Sequence, residues 1–141
     1  MDTVDENVHS NVNVNIGKKM ILLIDDAAIQ LRAMNGILNE KYTVKMATSG
    51  EQAIKILQKN RPDLILLDYE MPGCDGKKTF ENIRKEKNGE DVPVVFVTGV
   101  KDRGRVVDVL EMKPAAYLRK PVERDTLLDV VQKILWDNEC R

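Results

Sequence analysis

The sequence predicts an α/β fold, a five-stranded parallel sheet covered by helices on both faces. Three observations carry that prediction. Continuous apolar runs at Met20–Ile24, Leu64–Leu67 and Val94–Val97 have the texture of strands buried on both faces, as parallel sheets require. Between them, apolar residues recur at three- and four-residue spacing, the mark of amphipathic helices. Strand and helix alternate five times over about 120 residues, and right-handed crossovers turn such a chain into a parallel sheet with helices on either side.

The elements follow in order. Met20–Ile24 is the first strand, and Asp25-Asp26 ends it. Ala28–Leu38 is a helix with Leu31, Met34, Ile37 and Leu38 on one face. Tyr42–Ala47 alternates as a short strand, Ser49-Gly50 punctuates, and Glu51–Lys59 is a helix burying Ala53, Ile54 and Leu57. Pro62 breaks that pattern because it lacks an N–H and clashes with the preceding turn. Leu64–Leu67 is the third strand, ending at Asp68, and Met71–Gly76 (MPGCDG) is loop chemistry. Thr79–Glu86 is helical with Phe80 and Ile83 inward, and Val92–Val97 is a strand ending at Thr98-Gly99. Arg105–Met112 makes a short helix, weakened by Gly104 by about 1 kcal/mol relative to Ala and stopped by Pro114. Ala115–Leu118 is the last strand. Arg124–Trp136 closes the fold, with Leu127, Leu128, Val131, Ile134 and Leu135 on one face.

The chain has 141 residues, enough for one domain and a tail. Residues 1–17 hold three acids and no Lys or Arg, with Asn11, Asn13 and Asn15 alternating with Val12, Val14 and Ile16. They read as a flexible N-terminal tail, too poor in apolar mass to offset ordering; a weak edge strand is the minor alternative. The domain is expected over 18–138, with 139–141 as its end. Lys+Arg number 22 against 23 Asp+Glu, for a net charge of −1. That lacks the cationic surplus on which nucleic-acid binding runs. No apolar run approaches the ~20 residues of a membrane span, and the N-terminus has no apolar stretch of a signal peptide. Cys74 and Cys140 make neither a disulfide framework nor a metal cluster. The only histidine, His9, lies in the tail, so a Ser/His/Asp triad or a His-based zinc site cannot be assembled. A cytoplasmic protein is expected.

In an open parallel sheet the functional crevice lies beyond the carboxyl ends of the strands. The polar residues at those ends are Asp25 and Asp26, Asp68, Thr98 and Lys120. Three carboxylates at one edge repel unless a cation joins them. Hard oxygen ligands on a wet rim suit Mg²⁺, which keeps several waters and takes phosphate oxygens into its shell. A carboxylate can then act as a nucleophile towards phosphorus, while ammonium, hydroxyl and metal hold the equatorial oxygens. Gly99 leaves room for the donor. Blander readings stand beside these. Asp25-Asp26 could be a helix N-cap pair, Thr98 a strand cap, Tyr117 ordinary packing, and Trp136 an ordinary core or helix-face residue.

Taken together, the segments ILLIDDAAIQLR, ATSGEQAI, PDLILLDYEMPGCDG, PVVFVTG and AAYLRKP resemble the receiver domain of two-component response regulators, over roughly residues 18–138. The resemblance implies a flavodoxin-like (βα)5 sandwich with strand order 2-1-3-4-5. It implies that Asp68 is the phosphoacceptor, that Asp26 binds Mg²⁺ directly with Asp25 assisting, and that the backbone carbonyl of Glu70 is a further metal ligand. Lys120 would contact the aspartate and then the phosphoryl oxygen, before a Lys120-Pro121 bond that is cis in many relatives. Thr98 would hydrogen-bond the phosphoryl group while Tyr117 turns inward.

The implied partners are a histidine kinase or histidine phosphotransfer protein as donor, and a downstream protein target. The target would bind the face of the fourth helix, fifth strand and fifth helix. The chain is expected to assist only its own phosphorylation and dephosphorylation, not to be an enzyme. Glu70 and Val100, two residues beyond Asp68 and Thr98, are expected to flank the route of a hydrolytic water, with Val100 excluding it and slowing dephosphorylation. One departure concerns the turn before the fifth strand, where relatives usually have Gly-Ala and this chain has Lys113-Pro114. Three alternatives remain. One is a receiver fragment of a longer regulator with an output domain beyond Arg141, and another a phosphorylation-independent interaction module. The third, a phosphatase of the haloacid dehalogenase type, would place Asp-x-Asp after the first strand, whereas Asp25 and Asp26 are adjacent.

Overall fold

A computed structural model describes residues 18–71, 74–99 and 111–139. The expectations for the 1–17 tail, His9, Val100, Gly104, Cys140 and most of the helix over 105–112 lie outside these residues.

Five strands form one parallel sheet: β1 (Met20–Ile24), β2 (Thr43–Ala47), β3 (Leu64–Asp68), β4 (Val94–Thr98) and β5 (Ala116–Arg119). Their spatial order is 2-1-3-4-5, the order that the resemblance implies. The described helices are α1 (Ala28–Leu38), α2 (Gly50–Leu57), α3 (Gly76–Lys85) and α4 (Arg124–Glu139). Successive strand side chains point to opposite faces, and the core divides accordingly. Leu22, Ile24, Ile65, Leu67 and Phe96 pack towards Ala53 and Leu57 of α2 and Ile83 of α3. Ile21, Leu23, Leu64, Leu66, Val95 and Val97 pack towards Leu31 and Met34 of α1 and Leu127 and Val131 of α4.

Local chemistry sets the ends of several elements. Ser49 caps α2 by accepting from the Gln52 N–H at 3.1 Å, and the Gln52 side chain accepts in return from the Thr48 N–H at 2.7 Å. Such a reciprocal pair satisfies two donors of the helix start. β4 starts at Val94, not Val92, because Pro93 has no N–H for the ladder; its carbonyl still accepts from Ile65 at 3.0 Å. Arg84 donates to the Gly89 and Val92 carbonyls at 2.9 and 2.6 Å, and lies 4.8 Å over the Phe80 ring. It thereby pins the loop that leads into β4.

Two boundaries differ more. Within Met71–Gly76, a two-residue antiparallel ladder joins Glu70–Met71 to Cys74–Asp75, and α3 begins at Gly76, three residues before the expected Thr79. The first turn, Gly76-Lys77-Lys78, carries no apolar residue for periodicity to detect. For the same reason α4 runs past Trp136 to Glu139 through a polar, exposed last turn. Trp136 itself is 65% exposed, so it belongs to the outer face of that helix and not to the core. Among the described residues, no helix is long and apolar enough to cross a membrane.

Candidate functional site

The strand order reverses between β1 and β3: from β1 the chain goes first to β2 on one side, then to β3 on the other. A crevice opens at such a switch point, beyond the carboxyl ends. Asp25 follows β1 directly. Its N–H continues the ladder to the Ala47 carbonyl at 3.1 Å, which turns the residue inward, and its Oδ1 accepts from the Ala27 N–H at 2.9 Å. This local Asx turn fixes the carboxylate. Asp68 ends β3 opposite Val97, and its Oδ1 accepts from the Glu70 N–H at 3.1 Å. Both carboxylates are buried, at 0% and 2% exposure, whereas Asp26 is exposed.

Lys120 arrives from the far side of the sheet. Its N–H donates to the Thr98 carbonyl at 2.8 Å, the last rung between β4 and β5, and its peptide bond to Pro121 is cis. The Lys120 ammonium lies 3.2 Å from Asp25 Oδ2 and 3.2 Å from Asp68 Oδ2. Thr98, wholly buried, closes β4 beside this rung.

Charge and burial compete here. Burial is the largest influence on Asp68 and pushes its carboxyl above the ordinary range. The Glu70 N–H opposes the shift, the Asp25 charge adds to it, and Lys120 opposes it, with a net rise. For Lys120, burial alone would lower the ammonium, but the Asp68 and Asp25 charges outweigh it and raise it. The lysine therefore stays charged at neutral pH.

Oxygens of Asp25, Asp26 and Asp68 all lie within 4.8 Å of one another. Asp25 Oδ2, fully buried, has the ammonium at ion-pair distance yet accepts no directed hydrogen bond among the described residues. A buried anionic oxygen with spare lone pairs, in a set made only of carboxylates, fits a hard divalent cation such as Mg²⁺.

The remaining sequence candidates fall as follows. The Glu70 side chain is exposed, and what its backbone brings to Asp68 is a donated N–H. Tyr117 is half-buried, pairs in register with Phe96 and packs on the core cluster that contains it. A Cβ at Gly99 would sit 3.5 Å from Glu70 Oε1, an ordinary contact, so no described neighbour demands glycine there. Sequence reasoning missed the Ala27 and Glu70 N–H donors, because backbone donors leave no mark in residue type. An Asp two residues before a donor is the one local signal that could have found them.

Residues 21–132 match the response regulator receiver domain family. Among curated relatives, transcriptional regulatory protein AfsQ1 of Streptomyces coelicolor is 34% identical over 116 residues, covering 82% of this chain and 50% of that protein. Sporulation initiation phosphotransferase F of Bacillus subtilis is 32% identical over 116 residues, covering 82% of this chain and 92% of that protein. The chain thus spans about half of the first relative and nearly all of the second. Among solved structures, a CheY-like receiver domain protein from Methanospirillum hungatei superposes with a TM-score of 0.79 at 27% identity, covering 86% of this chain and 97% of that one. The receiver domain of a sensor histidine kinase from Pseudomonas aeruginosa, with a magnesium ion coordinated in its active site cleft, gives 0.76 at 28%, covering 84% and 98%. With the topology, the acidic edge and these matches agreeing, the chain belongs to the response regulator receiver domain family of two-component signalling.

Proposed function

We propose that this chain accepts a phosphoryl group on Asp68 from a phosphohistidine of a histidine kinase or histidine phosphotransfer protein, and that the modification switches its binding to a downstream protein. The observation that carries the reading is the Lys120 ammonium 3.2 Å from both buried carboxylates, beside a third carboxylate. In the transfer, an Asp68 oxygen forms the new P–O bond as the P–N bond to the donor imidazole breaks. The imidazole leaves with the bonding pair and takes up a proton. Asp25, Asp26 and Asp68, with the Glu70 carbonyl, are the residues that would hold Mg²⁺. When bound, the ion supplies positive charge to the carboxylates and to a phosphoryl oxygen.

Lys120 holds the acceptor carboxylate before transfer and a phosphoryl oxygen after it, with charge-assisted contacts of the kind such transition states need. Thr98, at the end of β4, would donate its hydroxyl to the new group, and Tyr117 is the side chain through which the β4–β5 edge would report the change. The phosphoryl group adds a charge of about −1.5 to −2 beside Asp68. The responding surface would be β5, α4 and the helix expected over 105–112. On this reading the chain is not an enzyme acting on other substrates, and it works in the cytoplasm without nucleic acid as its direct partner. The longer relatives support the parallel possibility of an output domain beyond Arg141.

Incubation with acetyl phosphate and Mg²⁺, followed by mass spectrometry, should add about 80 Da at Asp68. Asp68→Asn should abolish the adduct. No adduct from acetyl phosphate or from a phosphohistidine protein would overturn the reading.

A further inference from the structure

We propose that Gly76, outside the acidic cluster, is a positioning residue for Asp68. The inference rests on the reading of Asp68 as phosphoacceptor, and it turns on a single peptide unit, the one joining Tyr69 to Glu70. The N–H of that unit donates to Asp68 Oδ1 at 3.1 Å, while its carbonyl accepts from the Gly76 N–H at 3.0 Å. One rigid plane therefore connects the first residue of α3 to the acceptor carboxylate. Gly76 meets this plane closely. A Cβ there would lie 2.7 Å from Tyr69 Cα, 2.8 Å from Tyr69 O and 2.6 Å from Tyr69 Cδ1. Two of the three are backbone atoms, so a rotamer change cannot relieve the crowding.

Tyr69 has little freedom to retreat. Its N–H donates to the Val97 carbonyl at 3.1 Å, its side chain is buried, and its ring stands edge-on to Phe96 with centroids 5.5 Å apart. What yields to a methyl group on Gly76 is therefore the 69–70 peptide or the start of α3. Movement of the peptide turns the Glu70 N–H away from Asp68, and movement of α3 removes the Gly76 donor that anchors the Tyr69 carbonyl of that same peptide. The carboxylate is then held by Lys120 at one oxygen only and can rotate about its last torsion. Gly36 supplies the internal contrast: it lies within α1, and a Cβ there meets nothing within 4 Å.

The test compares wild type, Gly76→Ala, Gly36→Ala and Asp68→Ala. Phosphorylation is read by mass spectrometry under acetyl phosphate with saturating Mg²⁺, and the Glu70 amide by hydrogen exchange and proton chemical shift. Gly76→Ala should phosphorylate about 10- to 100-fold more slowly, the size of effect that small misplacements of reacting groups produce. Its Glu70 amide should lose protection and move towards its position in Asp68→Ala, while Gly36→Ala matches wild type in both. A Gly76→Ala protein that is only less stable, with wild-type rate and an unmoved Glu70 amide, overturns the proposal.

If Gly76→Ala does not fold in buffer alone, trimethylamine N-oxide, an excluded osmolyte that favours the compact state, should recover folding without recovering the rate. Recovery of the rate as well overturns the proposal. Failure of wild type to phosphorylate would count against the reading of Asp68, whereas the amide measurement would still decide the role of Gly76.

Discussion

Lys120→Met keeps most of the side-chain volume and removes one charge from between two carboxylates that are 0% and 2% exposed. Each lies 3.2 Å from the ammonium, a gross attraction of about 5 kcal/mol at an effective dielectric near 20. Their mutual approach within 4.8 Å corresponds to a repulsion of about 3.5 kcal/mol or more on the same scale. These gross figures do not convert to stability, because taking the charges out of water costs a comparable amount. Titration sets the scale instead. Without the ammonium the folded site takes up a proton, which removes the repulsion, and the charge that remains keeps an Ala27 or Glu70 N–H as donor. With an ordinary aspartate value of about 3.9, that protonation costs about 4 kcal/mol at pH 7 and about 1.5 kcal/mol at pH 5.

Urea unfolding in EDTA should therefore show Lys120→Met destabilised by about 3–4 kcal/mol at pH 7 and by less than half of that at pH 5. Mg²⁺ should narrow the gap, since it replaces the missing positive charge. A variant as stable as wild type at pH 7 would refute the reasoning. So would a loss that does not shrink at pH 5.

Two further outcomes follow from the same structure. The Asp68 carboxyl is raised above its ordinary range, by burial first, so the metal-free folded state holds that proton more tightly than the unfolded chain does. Its contribution to stability is then present at low pH and is lost as pH rises through the folded value. Asp68→Asn, in EDTA, should gain stability over wild type as pH goes from 4 to 7, and a constant difference across that range would contradict the assignment. Lys113 sits at φ 54°, in the left-handed region, where a non-glycine residue costs about 1–2 kcal/mol. Lys113→Gly should stabilise the fold by a net of about 0.5–1 kcal/mol, read as a higher denaturation midpoint, after the extra freedom of glycine in the unfolded chain is counted. An unchanged or lower midpoint would show that the lysine side chain compensates for its backbone.

Much of this was legible because it is local. Leu64–Leu67 reads as a strand since four consecutive apolar residues need burial on both faces, and Asp68 ends it because a carboxylate cannot follow them into the core unpaired. Ser49 announces α2 through a cap that spans three residues. The start of α3 was not legible: Gly76-Lys77-Lys78 offers no apolar face, and its helical turn is set by the approach of Gly76 to Tyr69. The residue type of Lys113 likewise does not announce its left-handed backbone, because a lysine is ordinarily extended or helical; only the glycine that relatives usually carry in that turn points to it.

The sequence by itself determined the alternation of strands and helices, and which polar residues stand at strand ends. Both follow from side-chain periodicity within a few residues. Only the tertiary structure decided that Asp25, Asp68 and Lys120 meet at 3.2 Å. That convergence depends on strand order and on the register β1–β3, β3–β4 and β4–β5, each set by packing between distant segments. It also decided that the Tyr69–Glu70 peptide stands between Gly76 and Asp68. Backbone hydrogen bonds depend on where a peptide plane lies, not on which side chain it bears.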